Sequence, residues 1–280
     1  MEYVKLGNTG MEVSKLCLGC MGFGEPERGR EKWSIGEAES REVIKKALDS
    51  GINFFDTANL YSAGSSEEII GKALKDFANR DEIVLASKLY FPMFDGPNAK
   101  GLSRKSIFAE IDHSLKRLQT DYLDLYIIHR WDYDTPIEET MEALHDLVKM
   151  GKVRYIGASS MHGWQFAKAQ FIAEKNGWTK FVSMQNLYNL LYREEEREMI
   201  PLLQDRKVAM TPWSPLAGGR LTRDIGAVTA RTSQAVEANL PAYIVASDNE
   251  IISRVHKLAD ERGITRGQVA TAWMLSKDYV

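Results

Sequence analysis

The sequence predicts an α/β protein, a (β/α)8 TIM barrel preceded by an N-terminal β-hairpin. Three observations carry this expectation. Seven short apolar runs alternate with stretches of helical period, joined by short loops. Three successive runs close on an ionisable residue, Asp56, Lys88 and His129, with Tyr61 just past the first. Polar groups gathered at the ends of parallel strands suit the face of a barrel where chemistry is done. The competing doubly wound sheet lacks its phosphate loop, because GFGEPERG at 22–29 is not a GxGxxG opening a helix.

The elements follow in order. YVKLGNTGMEVSK reads as a hairpin around the turn-forming Asn8, Thr9 and Gly10. SKLCLG (14–19) reads as a strand. EAESREVIKKALDSG (37–51) reads as a helix with Val43, Ile44, Ala47 and Leu48 on its apolar face and Gly51 as its stop. NFFDTA (53–58) is the next strand, and SSEEIIGKALKDF (65–77) a helix with a Ser N-cap and acids in its first turn. IVLASK (83–88), a helix over 103–118, YLDLYIIH (122–129) and a helix over 135–151 starting at Pro136 continue the alternation. VRYIGAS (153–159), a helix over 163–177, FVSMQN (181–186), a helix over 193–206 and VAMTPW (208–213) extend it to seven strands. Two helices, 249–263 and 265–278, come last. A polar stretch without periodicity lies between, from GGRLTRD to about Asp248, and loops of that length are usually functional or mobile. The expected unit is one barrel domain over residues 1–280, its eighth strand and helix absent from the chain after Val280.

Composition narrows the function. With 44% hydrophobic residues, 27% charged and a net charge of -3, the chain is globular and carries no overall basic field. Nucleic acid and anionic membranes are therefore poor partners. The N-terminus has no signal-peptide pattern, and no apolar run reaches about 18 residues. With only two cysteines, the expected setting is the cytoplasm. Cys17 and Cys20 form a Cys-x-x-Cys within or just after a strand, without a second ligand pair for zinc, and read as two unrelated cysteines, buried or lining a site. No metal is expected. Of five histidines only His129 sits at a strand end, too few for a metal-dependent hydrolase.

The residue types at the strand ends fit one reaction. Reducing a carbonyl needs a proton donor at the developing alkoxide. A tyrosine can serve, but its unperturbed pKa of roughly 10 makes it a reluctant acid. A neighbouring ammonium, Lys88, is expected to lower the pKa of Tyr61. Asp56 would keep that ammonium charged and fixed. His129 would hydrogen-bond and orient the substrate oxygen.

LGCMGFG, GINFFDTANLY, LASK, DYLDLYIIHRWD, GKVRYIGASS, MQNLYN and WSPLAGGRL together resemble the aldo-keto reductase superfamily over almost the whole chain. The likeness points to a bacterial long-loop branch akin to potassium-channel β-subunits. It implies NADP(H)-dependent interconversion of carbonyls and alcohols, with Tyr61 as general acid, Lys88 tuning it, Asp56 paired with Lys88 and His129 orienting the carbonyl. By the same resemblance Ser159 and Gln185, with Ser160 alongside, would hydrogen-bond the nicotinamide carboxamide. Trp213 would stack on its ring, Ser214, Pro215, Leu216 and Gly218 would follow the pyrophosphate, and Gly19, Cys20 and Met21 would brush the ribose. Arg231, or its neighbours Arg220 and Arg223, would meet the 2′-phosphate. Ser159 and Ser160 also suit a helix cap, and Gln185 and Trp213 simple packing. The basic clamp that the family carries after its eighth strand, which separates NADP from NAD, is not in the chain.

Trp33, Tyr90 and Trp131, with Phe91 beside them, are expected to wall a pocket for a modest aldehyde or ketone. Arg130 suits either an anionic substrate group or a structural ion pair. A homo-oligomer stays open. The rival function is a nucleotide-binding, redox-sensing subunit with little turnover. The intact Asp56, Tyr61, Lys88 and His129 set argues against it.

Overall fold

Alternating exposed and buried positions around a turn-rich centre produce the opening hairpin. β1 (Tyr3–Lys5) and β2 (Glu12–Ser14) pair antiparallel, with Val4 opposite Val13. The computed structural model describes residues 1–29, 31–227 and 247–280. The chain divides into two compact units, Met1–Ser183 and Met184–Val280.

The first unit is built on parallel strands in chain order. β3 (Cys17–Gly19), β4 (Phe54–Asp56), β5 (Val84–Leu89), β6 (Leu123–Ile128) and β7 (Val153–Ser159) each pair with the next. β8 (Phe181–Gln185) follows β7 and crosses from the first unit into the second. Every residue of β5 and β6 is buried, which explains why these strands read as continuous apolar runs rather than as alternation. Burying side chains such as Ile127 and Ile128 contributes about 1.5–3 kcal/mol each.

The helices α1 (Glu37–Asp49), α2 (Ser65–Phe77), α3 (Arg104–Leu118), α4 (Ile137–Lys149) and α5 (Gly163–Asn176) occupy the expected intervals. Ser103 caps α3 by accepting the Ser106 N–H. α1 differs from expectation, since it buries Ser40, Ile44 and Ala47 and leaves Val43 41% exposed. The helical period places Val43 at the edge of the stripe, and the hydroxyl of Ser40 is satisfied inside it by the Ile35 carbonyl. α2 has no Ser N-cap. Its cap is Gly64, at φ 90°, and the Ser65 hydroxyl donates instead to the Ser62 carbonyl. At Gly71 a Cβ would stand 2.5 Å from the backbone oxygen of Leu118, so a glycine here lets α2 lie directly against the end of α3.

In the second unit the end of β8 is followed by α6 (Met199–Arg206), β9 (Ala209–Met210), α7 (Asp248–Arg262) and α8 (Arg266–Leu275). The Thr211 N–H donates to the Met184 carbonyl and the Trp213 N–H to that of Asn186, which sets β9 beside β8. The predicted helix over 193–206 begins late. Arg193–Glu198 carries a short 3-10 turn, and regular helix starts at Met199, with Pro201 in its first turn, where a missing N–H costs nothing. Thr265 and Gln268 form a capping box at α8. Leu221, Ile252, Val255, Ala259, Val269 and Ala270 form one buried apolar cluster of this unit. The fold class is the expected (β/α)8 TIM-barrel one, with seven of its parallel strands in chain order among the described residues and the hairpin at the N-terminus.

Candidate active site

Asp56 is the last residue of β4, Lys88 lies near the end of β5, and His129 directly follows β6. In the parallel register Asp56 pairs with Ala86, two residues before Lys88, and Lys88 pairs with Ile127, two residues before His129, so each lies two positions beyond the partner of the one before. Tyr61 sits five positions beyond Asp56, in a 3-10 turn, Tyr61–Gly64. The structure therefore brings the four expected residues together.

Lys88 is the hub. It is fully buried, and its ammonium donates to Asp56 Oδ2 at 2.6 Å, to the Thr57 carbonyl at 2.8 Å and to Tyr61 Oη at 3.2 Å. All three N–H donors are thereby used. Burial penalises this charge, but Asp56 and Tyr61 together outweigh the penalty and hold the Lys88 pKa above that of an ordinary lysine. The Thr57 carbonyl was not visible to sequence reasoning, because it is a backbone group without a residue-type signal.

Tyr61 corrects one expectation. Its phenol pKa is raised, not lowered. Burial in a site where Tyr61 is 8% exposed pushes it up, and the pull of Lys88 in the other direction does not overcome that. The Tyr61 phenol is accordingly protonated at neutral pH, with the Lys88 ammonium donating to its oxygen.

His129 is buried, and its ring meets Tyr61 edge-on at 5.9 Å and Phe91 edge-on at 5.1 Å. Burial, then the nearby charges of Lys88 and Arg130, hold its pKa well below the usual histidine value, so it is neutral at physiological pH. Nδ1 is buried without a hydrogen-bond partner. A neutral imidazole carries one ring proton, and on Nε2 that proton can be donated to a substrate oxygen.

Of the expected pocket residues, Tyr90 contacts Phe91 at 5.2 Å between ring centres, and the Arg130 guanidinium lies 5.4 Å over the Phe91 ring. Arg130 also donates to the His129 carbonyl at 2.7 Å. Tyr90, Phe91, His129 and Arg130 thus form one contiguous wall. Trp131 packs near Trp164 instead, with centroids 6.1 Å apart, and Trp33 lies beside Gly22. The loop carrying Trp131 is fixed by Asp132, whose carboxylate accepts from the Leu102 and Asp134 N–H groups and from the Thr135 hydroxyl.

Gly19 ends β3. Cys20 is fully buried, with its N–H donated to the Asp56 carbonyl and its own carbonyl accepting from Ser66, and Met21 follows it half-buried. Cys17 is exposed, and both thiols are free. Ser159 ends β7, its hydroxyl 3.1 Å from that of Ser160, which has a left-handed φ of 52°. In the second unit Gln185 ends β8 and is buried. The loop after Trp213 carries left-handed residues at Ser214, Ala217, Gly218 and Gly219, with Pro215 and Leu216 between them. Its Ser214 carbonyl accepts from Asn189. Arg220 pairs with buried Asp248 at 2.8 Å, while Arg223 is exposed. Arg231 lies outside the described residues. Among the described residues no cluster of His, Cys, Asp and Glu suits a metal ion, and no helix is long and apolar enough to cross a membrane.

Comparison with known proteins agrees with this arrangement. A model of the aldo/keto reductase family matches residues 15–280. A versiconal hemiacetal acetate reductase of Aspergillus parasiticus is 46% identical over 297 aligned positions, which cover 99% of this chain and 86% of that protein. An aldo-keto reductase of Alternaria alternata is 45% identical over 297 positions, covering 97% of this chain and 80% of its own. Another, of Metarhizium robertsii, is 41% identical over 301 positions, covering 98% and 80%. These relatives are fungal and lend no support to a closer likeness with the bacterial branch. The chain belongs to the aldo/keto reductase family, whose chemistry is the reduction of carbonyls with a nicotinamide cofactor.

Proposed function

We propose that the protein reduces aldehydes and ketones to alcohols with NADPH, and that Tyr61 is the proton donor. The observation that carries this reading is the bridging of Asp56 and Tyr61 by one buried ammonium, Lys88. The donor chemistry fits the cofactor. Hydroxyls at Ser159 and Ser160 and the amide of Gln185 suit a carboxamide, Trp213 offers an aromatic plane, and the left-handed loop after it suits a pyrophosphate. Gly19, Cys20 and Met21 would border the ribose. Arg231 is the candidate for the 2′-phosphate and carries the preference for NADP. When bound, the dihydronicotinamide supplies a hydride to the carbonyl carbon.

This chain's own residues supply the rest. Neutral His129 donates a hydrogen bond to the carbonyl oxygen and fixes its direction. Tyr61 gives its proton to that oxygen as negative charge develops there. Lys88, held by Asp56, then stabilises the phenolate. The charge on Lys88 does not have to be created or moved during the step, which is the economy of a preorganised site. The aromatic wall of Tyr90 and Phe91 favours compact or aryl carbonyl substrates, Trp33 and Trp131 are further candidates for its lining, and Arg130 beside it favours substrates that carry an anionic group. Free thiols at Cys17 and Cys20 are consistent with a reducing, cytoplasmic setting.

The test is the loss of NADPH absorbance with para-nitrobenzaldehyde. Turnover that disappears in Tyr61→Phe while NADPH binding persists supports the assignment. Tight NADPH binding without turnover in the unaltered protein would instead favour the redox-sensing subunit.

A further inference from the structure

The turn that carries Tyr61 is unusual. Immediately after the tyrosine the backbone enters the left-handed region at Ser62 (φ 45°), Ala63 (φ 50°) and Gly64 (φ 90°) in succession. L-residues disfavour this region, so two consecutive non-glycine residues there require outside restraint. Ser62 is completely buried, so its peptide groups need protein partners. Its N–H donates to the Glu31 carboxylate, Oε2, at 3.1 Å, and its carbonyl accepts from the Ser65 hydroxyl at 2.8 Å. Ser65 in turn accepts from the Glu25 N–H at 2.9 Å.

The restraint comes from the segment between β3 and α1. A Cβ on Gly24 would stand 2.2 Å from Ser62 Cβ, and one on Gly29 would stand 2.4 Å from Ser62 Cα. Both glycines are therefore needed for the segment to close on the turn. Glu31 itself is 4% exposed, unusual for a glutamate in a polar loop, which has no reason to be buried unless its carboxylate is engaged.

We infer that Glu31 is a positioning residue for the proton donor: by accepting the Ser62 N–H it locks the left-handed turn and aims the Tyr61 phenol at Lys88. This rests on the reading of Tyr61 as the proton donor. Glu31 does not touch the reacting atoms in this account. It acts through one hydrogen bond to the residue next to Tyr61.

The test compares Glu31→Ala and Glu31→Gln in the full chain, by steady-state reduction and by hydrogen exchange of the Ser62 amide followed by NMR. Glu31→Ala removes the acceptor, and Glu31→Gln keeps an acceptor oxygen at the same reach without the charge. The expected result for Glu31→Ala is a kcat lower by about 100-fold, the scale of a misplaced catalytic group, with KM for NADPH unchanged. Its Ser62 amide should exchange about 10-fold faster, as expected for one lost hydrogen bond. Glu31→Gln should restore both properties close to the unaltered protein. The inference is overturned if the Ser62 amide stays protected in Glu31→Ala, if it is exposed but kcat is unchanged, or if folded Glu31→Gln is as impaired as Glu31→Ala. Should Glu31→Ala not fold, Glu31→Asp, which withdraws the oxygens by one methylene, replaces it with the same expectations. An unaltered protein without turnover would overturn the reductase reading, and the Ser62 exchange result would still decide whether Glu31 locks the turn.

Discussion

Replacing Asp56 by Asn changes one atom type in the interior and removes one charge. The lost attraction is large, because the Lys88–Asp56 contact is 2.6 Å and Lys88 is fully buried. With an effective dielectric constant of about 20, unit charges at this distance attract by about 6 kcal/mol before any relaxation. Breaking a buried pair typically costs about 3–5 kcal/mol in practice, and the Thr57 carbonyl and Tyr61 hydroxyl remain as neutral acceptors. The pH dependence makes the prediction specific. In the unaltered protein the folded pKa of Lys88 is raised, so its stabilisation is complete below the unfolded value of about 10.4 and is lost as the pH rises through the folded value. In Asp56→Asn burial is opposed only by the weaker hold of Tyr61 and draws the folded pKa below about 10.4. The unfolded state then binds more protons between the two values, and stability increases with pH in that window. Thermal unfolding followed by circular dichroism from neutral to alkaline pH measures both slopes. Asp56→Asn should unfold at lower temperature near neutrality and should gain stability as the pH rises toward 10, roughly the unfolded lysine pKa. An unaltered midpoint with an unaltered slope would refute the argument that Asp56 keeps Lys88 charged.

Other perturbations test separate parts of the molecule. Tyr61→Phe should lower reduction by about 100- to 10,000-fold, the usual contribution of a positioned proton donor, with NADPH affinity nearly unchanged in a fluorescence titration. The depressed pKa of His129 makes the folded protein less stable as the pH falls below about 6.5 toward its folded value, because only the unfolded chain takes up that proton. His129→Asn should therefore show a shallower loss of thermal stability between neutral and mildly acidic pH than the unaltered protein. Gly71→Ala places a methyl 2.5 Å from the Leu118 oxygen and should cost about 1–3 kcal/mol in denaturant unfolding while leaving the kinetics of the folded fraction intact. Glu67→Ala strips the fully buried carboxylate that accepts from the Ser87 hydroxyl and from Arg117 Nε at 2.6 Å. Stability should fall by about 3–5 kcal/mol, measured in the same way.

What could be read from the residues alone was whatever side-chain type and periodicity encode. Lys88 closing an apolar run demanded a counter-charge, and Asp56 at the end of the preceding strand was available to meet it, with Tyr61 just beyond, so the hub was visible in the chain. Strand β7 was legible to the residue, because VRYIGAS is bounded by a glycine-lysine turn and by serines. Three things escaped for physical reasons. The Thr57 carbonyl is a third acceptor for Lys88, and backbone groups carry no sequence label. The sign of the Tyr61 shift depends on a competition between burial and one ammonium, and burial is a property of the packed fold rather than of spacing. Glu31 sits among charged residues in REKW, where nothing in its residue type sets it apart, yet it packs inside where Gly24 and Gly29 close on Ser62. These three features share a cause. Each belongs to the support around the reacting groups, where the requirement is for a hydrogen-bond acceptor or a dielectric environment and not for a particular side chain. Chemistry restricts the residue at the reacting atom and so writes it into the sequence. Support can be provided by many atoms, so its members become identifiable only when distances are known.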